Sequence, residues 1–344
     1  MQANDNFGQN TDLRAFKPAW WLKNCHLQTI FAKYLAPNLQ LLLTPERIDL
    51  PDGDELMLHW GERKPDLQTP LVLLLHGLEG NFRSHYVRGM IHSLQQRGFA
   101  TVLMHFRGCH GEANKLPRAY HSGDTADAGF IISLLQQRFP GVSLAAVGFS
   151  LGGNVLMKYC GEQAEHCPLQ AAVAVSAPLQ LSASADRINQ GFSRVYQQYL
   201  LGRLKRTMQR KLQKHQPFPL PLTHTDIQKL RSIRQFDNLL TAPLHGFANA
   251  EDYYLRASAQ PYLAKITMPC LLIHAKDDPF LAPSVIPKQL QPPVQLLLSE
   301  HGGHVGFISG GLPWRPVYWL DVIVPNFLQQ HLRNNHHADP LPGT

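Results

Sequence analysis

Ala145-Ala146-Val147-Gly148-Phe149-Ser150-Leu151-Gly152-Gly153-Asn154 is an apolar run that ends in Gly-Phe-Ser-Leu-Gly and opens into a helical pattern. It reads as a nucleophile elbow, a tight strand-to-helix turn that presents a serine hydroxyl at its tip. A serine hydroxyl is a poor nucleophile unless it is exposed beside a base, and flanking glycines remove the β-carbons that would collide at such a turn. The context supports the reading. Residues 144–147 fit a short buried strand, and residues 154–159 fit the start of a helix.

The segments on either side continue the alternation. After a loop-rich leader, residues 1–44, with Pro18-Ala19-Trp20-Trp21, residues 46–50 and 55–60 flank Pro51-Asp52-Gly53-Asp54 and predict a β-hairpin. Leu71-Val72-Leu73-Leu74-Leu75 is a continuous apolar run, the pattern of a strand buried on both faces. A helix over 84–97, a strand over 100–106, a helix over 125–138, the strand 143–149, a helix over 151–162 and a strand over 171–176 follow. Such alternation predicts an α/β fold with a mostly parallel sheet and helices on both faces. It stops at residues 181–264, which are basic, Gln-rich and helical in character, with Pro217-Phe218-Pro219-Leu220-Pro221 as a breaker. That stretch is expected to be a helical cap inserted into a core formed by 45–180 and 265–333. Strands return at 270–274 and 294–298, a last helix is predicted over 317–332, and the tail 334–344 is expected to fray.

Acyl transfer by serine needs a base, a carboxylate to orient it, and N–H donors for the oxyanion. The base candidate is His304 in His301-Gly302-Gly303-His304-Val305-Gly306-Phe307, where small neighbours free the backbone. His301 is its competitor. Among the acids of His274-Ala275-Lys276-Asp277-Asp278-Pro279, Asp278 is preferred over Asp277: Pro279 fixes the chain after it, and adjacent acids on extended backbone point opposite ways. The N–H of Leu151, just after the nucleophile, is one oxyanion donor. The N–H of Leu78 is the second, from the loop His76-Gly77-Leu78-Glu79-Gly80 after the 71–75 strand. His76 is expected to orient that loop, while Gly77 there, like Gly148 and Gly152 at the elbow, allows close backbone approach.

The chain has 344 residues, 44% hydrophobic and 17% charged, ordinary values for a folded globular enzyme. Five scattered cysteines without a Cys-x-x-Cys pair argue against a disulfide framework or a structural zinc site. The polar start lacks a secretory signal, so a cytoplasmic location is expected. No apolar stretch approaches the ~20 residues needed to span a bilayer. The +7 charge gathers at Arg194, Arg203, Lys205, Arg206, Arg210, Lys211, Lys214, Lys229, Arg231 and Arg234, with Asp226 the one acid among them. A solvated helical face explains this, and peripheral contact with an anionic membrane stays open. No nucleic-acid motif accompanies the charge. Eighteen histidines show no metal-binding helical spacing, and the glycine-rich stretches match no nucleotide fingerprint, so neither metal nor cofactor is expected. His105-Phe106-Arg107-Gly108-Cys109-His110 ends a strand and is a candidate pocket wall. Cys109 lacks the basic partner that a nucleophile needs.

With these motifs in place, the chain resembles the α/β-hydrolase superfamily, and within it the AB hydrolase-4 family of bacterial YheT-like esterases and ABHD-type relatives. The resemblance runs through His26-Leu27-Gln28-Thr29, the His76 to Gly80 loop, Phe106-Arg107-Gly108-Cys109, Gly148 to Gly153, Asp252-Tyr253-Tyr254 with Ser258, Asp277-Asp278 and Gly302-Gly303-His304. It covers nearly the whole chain. It implies a catalytic set of Ser150, Asp278 and His304, in the chain order Ser, Asp, His of that superfamily. One departure is His105, where relatives commonly carry Asn before Phe-Arg. The expected function is a serine carboxylic ester hydrolase acting on a small-molecule or lipid-like ester. An acyl-CoA/alcohol acyltransferase or a lipase would use the same triad, and a catalytically inactive binding protein on this fold is the remaining class.

Overall fold

The computed structural model describes residues 15–332. The expected frayed tail and the first 14 residues of the leader lie outside the described residues. Helix α1 (Cys25–Tyr34) precedes the hairpin of β1 (Thr44–Asp49) and β2 (Glu55–Trp60). Then β3 (Leu71–Leu75), α2 (His85–Gln96), β4 (Ala100–Met104), α3 (Thr125–Arg138), β5 (Leu144–Phe149), α4 (Leu151–Gln163) and β6 (Ala171–Val175) alternate. Between β6 and β7 (Cys270–Ala275) lie α5 (Leu181–Ile188), α6 (Ser193–Lys214), α7 (His224–Lys229), α8 (Ile233–Phe236), α9 (Ala242–Leu244) and α10 (Ala250–Ala257). Strand β8 (Val294–Ser299), a small hairpin of β9 (Ile308–Leu312) and β10 (Arg315–Tyr318), and α11 (Leu320–Leu332) complete the described chain.

One eight-stranded sheet runs in the order β1-β2-β4-β3-β5-β6-β7-β8. β1 and β2 are antiparallel to each other, and β2 is antiparallel to β4; every pairing from β4 through β8 is parallel. This is an α/β-hydrolase fold with a mostly parallel sheet. The continuous apolar runs explain it, because parallel strands bury both faces. Leu71, Leu73 and Leu75 of β3 point into one core layer with Ala128, Ile131 and Leu156 of α3 and α4. Val72 and Leu74 point into the opposite layer with Val87, Ile91 and Phe327 of α2 and α11. Each of the Leu, Ile, Val and Phe side chains stabilises the fold by roughly 1.5–3 kcal/mol through burial.

A buried ionic knot fastens the elements around β4. The Arg107 guanidinium donates to Asp127 at 2.6 and 2.7 Å, to Asp54 at 2.8 Å and to Asp52 at 2.7 Å. Asn114 donates to Asp54, and Lys211 of α6 donates to Asn114 and, at 2.7 Å, to the Arg118 carbonyl. Helix α6 is thereby tied to the turn of the β1–β2 hairpin. The helices between β6 and β7 also have an apolar cluster of their own, including Leu201, Met208, Ile227, Phe236 and Leu240.

Three elements depart from the sequence reading. The leader holds α1, the separate two-stranded hairpin β9–β10 occupies 308–318, and the last helix starts at Leu320, since Val317 belongs to β10. Among the described residues no helix is long and apolar enough to cross a membrane.

Candidate active site

The elbow is built by close contact. A β-carbon on Gly148 would lie 2.4 Å from the Gly152 carbonyl oxygen, and one on Gly152 would lie 2.5 Å from that of Leu75, so α4 can leave β5 this sharply only with glycine at both positions. Ser150 itself takes φ +50° and ψ −118°, a conformation that side chains rarely adopt. Its N–H donates to the Val175 carbonyl at 2.8 Å, and its carbonyl accepts from Gly153 and Asn154. The hydroxyl is left projecting at the carboxyl end of the sheet.

His304 meets it there. Nε2 lies 3.0 Å from Ser150 Oγ, and Nδ1 lies 2.9 and 3.1 Å from the two carboxylate oxygens of Asp278. The carboxylate can only accept, so Nδ1 carries the proton and Nε2 is free to accept from the serine hydroxyl. Asp278 is buried at the end of β7 and also accepts from the Phe280 N–H at 2.8 Å. The Phe280 ring stacks on the imidazole, with centroids 4.0 Å apart and planes 7° from parallel. The competing pair turns elsewhere: Asp277 accepts from the Gly303 N–H at 3.0 Å and faces His301 at 3.3 Å. Burial raises the Asp277 pKa.

The loop after β3 closes over the serine. A β-carbon on Gly77 would sit 3.2 Å from that of Ser150. The N–H groups on either side of Leu78 are engaged, Gly77 with the Tyr86 hydroxyl at 3.0 Å and Glu79 with the Tyr120 hydroxyl at 2.8 Å. Among the described residues, the Leu78 N–H has no acceptor, nor has that of Leu151 at the start of α4. His76 braces the loop from beneath. Burial holds its pKa down at about 4, so the ring is neutral. Its Nδ1 faces the Gly77 carbonyl at 2.7 Å and its Nε2 faces the Phe106 N–H at 3.2 Å, which assigns the proton to Nδ1.

The 105–110 segment does not wall the cavity as expected. Of it, only Arg107 reaches the cavity lining. His105 is fully buried behind, with its ring 4.7 Å from that of His59 and 5.7 Å from that of His76.

Several contributors carry no readable sequence signal. Thr29 Oγ1 accepts from the His304 N–H at 2.9 Å, and Gln28, fully buried, donates to the carbonyls of Leu22 and Ile308 and accepts from the Ile308 N–H. Both lie in the His26-Leu27-Gln28-Thr29 motif, whose role the sequence leaves open. Glu79 is buried and ties the loop to α6: Tyr120 donates to Oε1 at 3.0 Å and Thr207 to Oε2 at 2.7 Å.

Ser150 and His304 open onto a cavity of about 1030 Å³. Leu181, Ile188, Leu204, Met208, Phe236 and Leu244, all from the helices between β6 and β7, supply much of its wall. This is the size and character of a site for a largely apolar ligand.

Known proteins share this architecture. The family described as alpha/beta hydrolase fold matches residues 70–311. The Escherichia coli K12 protein named "Putative esterase YheT" is 45% identical over 320 residues, spanning 92% of this chain and 94% of its own. Mouse phospholipase ABHD3 is 29% identical over 331 residues, spanning 93% of this chain and 80% of its own. Among solved structures, the Pyrococcus furiosus esterase Pf2001 superposes with a TM-score of 0.54 at 16% identity, covering 93% of this chain and 98% of that one, a likeness of fold. The sheet order, the elbow and the extent of these matches together show that the chain belongs to the α/β-hydrolase fold family, alongside its YheT-like and ABHD-type members.

Proposed function

We propose that this protein is a serine hydrolase that cleaves carboxylic esters through an acyl-enzyme. The observation that carries the reading is the unbroken hydrogen-bond chain from Ser150 Oγ through His304 to Asp278. Ser150 attacks the ester carbonyl while His304 Nε2 takes its proton, and Asp278 stabilises the imidazolium that forms. The N–H groups of Leu151 and Leu78 receive the oxyanion. His304 then protonates the leaving alcohol. Water, deprotonated by the same nitrogen, attacks the acyl-serine and releases the acid. The helices over 181–264 act as a cap whose apolar wall selects the acyl chain. The esterase and phospholipase names of the relatives support the ester class.

The test is labelling of the purified protein by a fluorophosphonate, together with turnover of aryl esters of increasing acyl length. Wild type should be labelled at Ser150, and Ser150→Ala should lose about 10⁴-fold or more in kcat, since loss of a triad nucleophile leaves only residual catalysis. An unlabelled wild type, or turnover by Ser150→Ala at the wild-type rate, would sink the proposal. Adding an alcohol as competing acceptor distinguishes hydrolysis from acyl transfer by the product formed.

A further inference from the structure

Helices α1 and α6 lie side by side at the mouth of this cavity and leave an apolar face uncovered. Leu27, Phe31 and Tyr34 recur at i, i+4 and i+7 on α1; Phe192, at the N-cap of α6, is followed by Val195 and Tyr199 at i+3 and i+7. They are between 39% and 71% exposed, although a helix stripe of this spacing ordinarily faces a core. The two stripes join: the His26 ring lies 4.6 Å from that of Phe192, and Lys33 Nζ lies 5.8 Å from the Tyr199 ring centroid. Tyr34, Val195 and Tyr199 also line the cavity that holds Ser150 and His304, so the cavity opens within the patch. Neither helix contains an acidic residue, while Lys33, Arg194 and Arg203 flank the stripes.

We infer that this face docks on an anionic lipid bilayer and admits the ester from it. The apolar side chains would enter the headgroup and acyl boundary while the cations meet the lipid charge, the arrangement of an interfacial helix. A protein seated here would seal the cavity mouth, whereas a bilayer supplies it. The delivery of substrate rests on the ester hydrolase reading; the docking itself does not.

The test uses the full chain with vesicles of phosphatidylcholine alone or mixed with phosphatidylglycerol. The variants are Leu27→Ser/Phe31→Ser/Phe192→Ser and, separately, Arg194→Glu, none of which lines the cavity. Co-sedimentation of wild type should favour the anionic vesicles and weaken at about 0.5 M salt. The triple variant should partition at least about tenfold less, and Arg194→Glu should lose binding to anionic vesicles alone. Hydrolysis of a soluble short-chain ester should be unchanged in both variants while hydrolysis of a vesicle-embedded ester falls, which also shows that they are folded. Wild-type vesicle binding by the triple variant overturns the inference. So does a wild type that ignores vesicles and self-associates through this face, as gel filtration of the triple variant would reveal. Vesicle binding without cleavage of either ester would count against the hydrolase reading and leave the docking face standing.

Discussion

Two adjacent carboxylates at the end of β7 have been given opposite surroundings by one peptide bond. Strand β7 ends at Ala275, and the Asp278 N–H closes a turn onto the Ala275 carbonyl at 3.2 Å, so it is this turn, not the extended backbone expected from the sequence, that parts the two acids and leaves Asp278 facing His304. Asp278 is buried against Nδ1 of His304, while Asp277 joins the Gly303 N–H and the half-exposed His301. The proposed mechanism therefore separates two substitutions of equal chemistry. Asp278→Asn should cut kcat by about 10⁴-fold, because an amide no longer enforces the Nδ1–H tautomer. Asp277→Asn should cost less than about tenfold, since its role is to hold a loop. Steady-state kinetics on a soluble ester reads both, and equal losses would overturn the assignment. Of the two reasons for preferring Asp278, the fixed chain at Pro279 is a local fact, whereas the argument from extended backbone fails because both acids lie beyond the end of β7. The Phe280 ring stacked on His304 was not legible, since two side chains 24 positions apart meet only once β7 and the 301–307 loop are in place.

Legibility at the level of elements followed how apolar each element's buried face is. Strands β3 to β7 announce themselves because both faces are buried and nearly every residue is apolar. Helix α1 was invisible for the reverse reason: its fully buried residues are Gln28 and Ala32, while Leu27, Phe31 and Tyr34 face outward, so its apolar period points away from the protein. Its hold on the site is polar. Gln28→Leu would take this partner from the Leu22 carbonyl and the Ile308 N–H, at about 1–3 kcal/mol each, while the Ile308 carbonyl keeps the Ala19 N–H at 3.1 Å. Because Thr29 on the same helix receives the His304 N–H, loosening α1 should lower kcat more than it raises KM. A wild-type kcat in a destabilised Gln28→Leu protein would refute this coupling. Hairpin β9–β10 escaped detection because Ile308-Ser309-Gly310-Gly311-Leu312 is glycine-rich and mostly exposed. The knot at Arg107 is an element-level fastening of another kind. Arg107→Leu strips the charge partner from Asp54 and Asp127, both buried, and should cost about 3–5 kcal/mol in urea denaturation. A loss below about 1 kcal/mol would mean that the carboxylates find other partners.

Across the whole molecule, burial has left an unusual reserve of neutral imidazole. His76, His85 and His274 are held at about 4, His245 at about 3, and His105 and His121 at about 2, in every case chiefly by desolvation. An unfolded histidine takes its proton near pH 6.5, so each of these groups lends the fold stability that is complete above that pH and lost as the pH falls toward the folded value. Buried acids work the other way. Burial raises Asp124 and Asp237 to about 6 and Asp321 to about 7, and a raised acid contributes most below about pH 4 and loses that contribution as the pH rises. The histidines are more numerous and more strongly shifted, so Tm should decline from pH 7 to pH 4.5. His105 isolates the effect. It lies fully buried, with its ring 4.7 Å from that of His59 and 5.7 Å from that of His76, and its pKa is the most strongly lowered together with that of His121. In His105→Phe the extra ring volume shifts Tm at every pH, but the titrating group is gone. The slope of Tm against pH between 7 and 4.5 should therefore be shallower than in wild type. Parallel slopes would show that His105 takes up its proton without opening the fold, and that the acid sensitivity resides in the other five histidines.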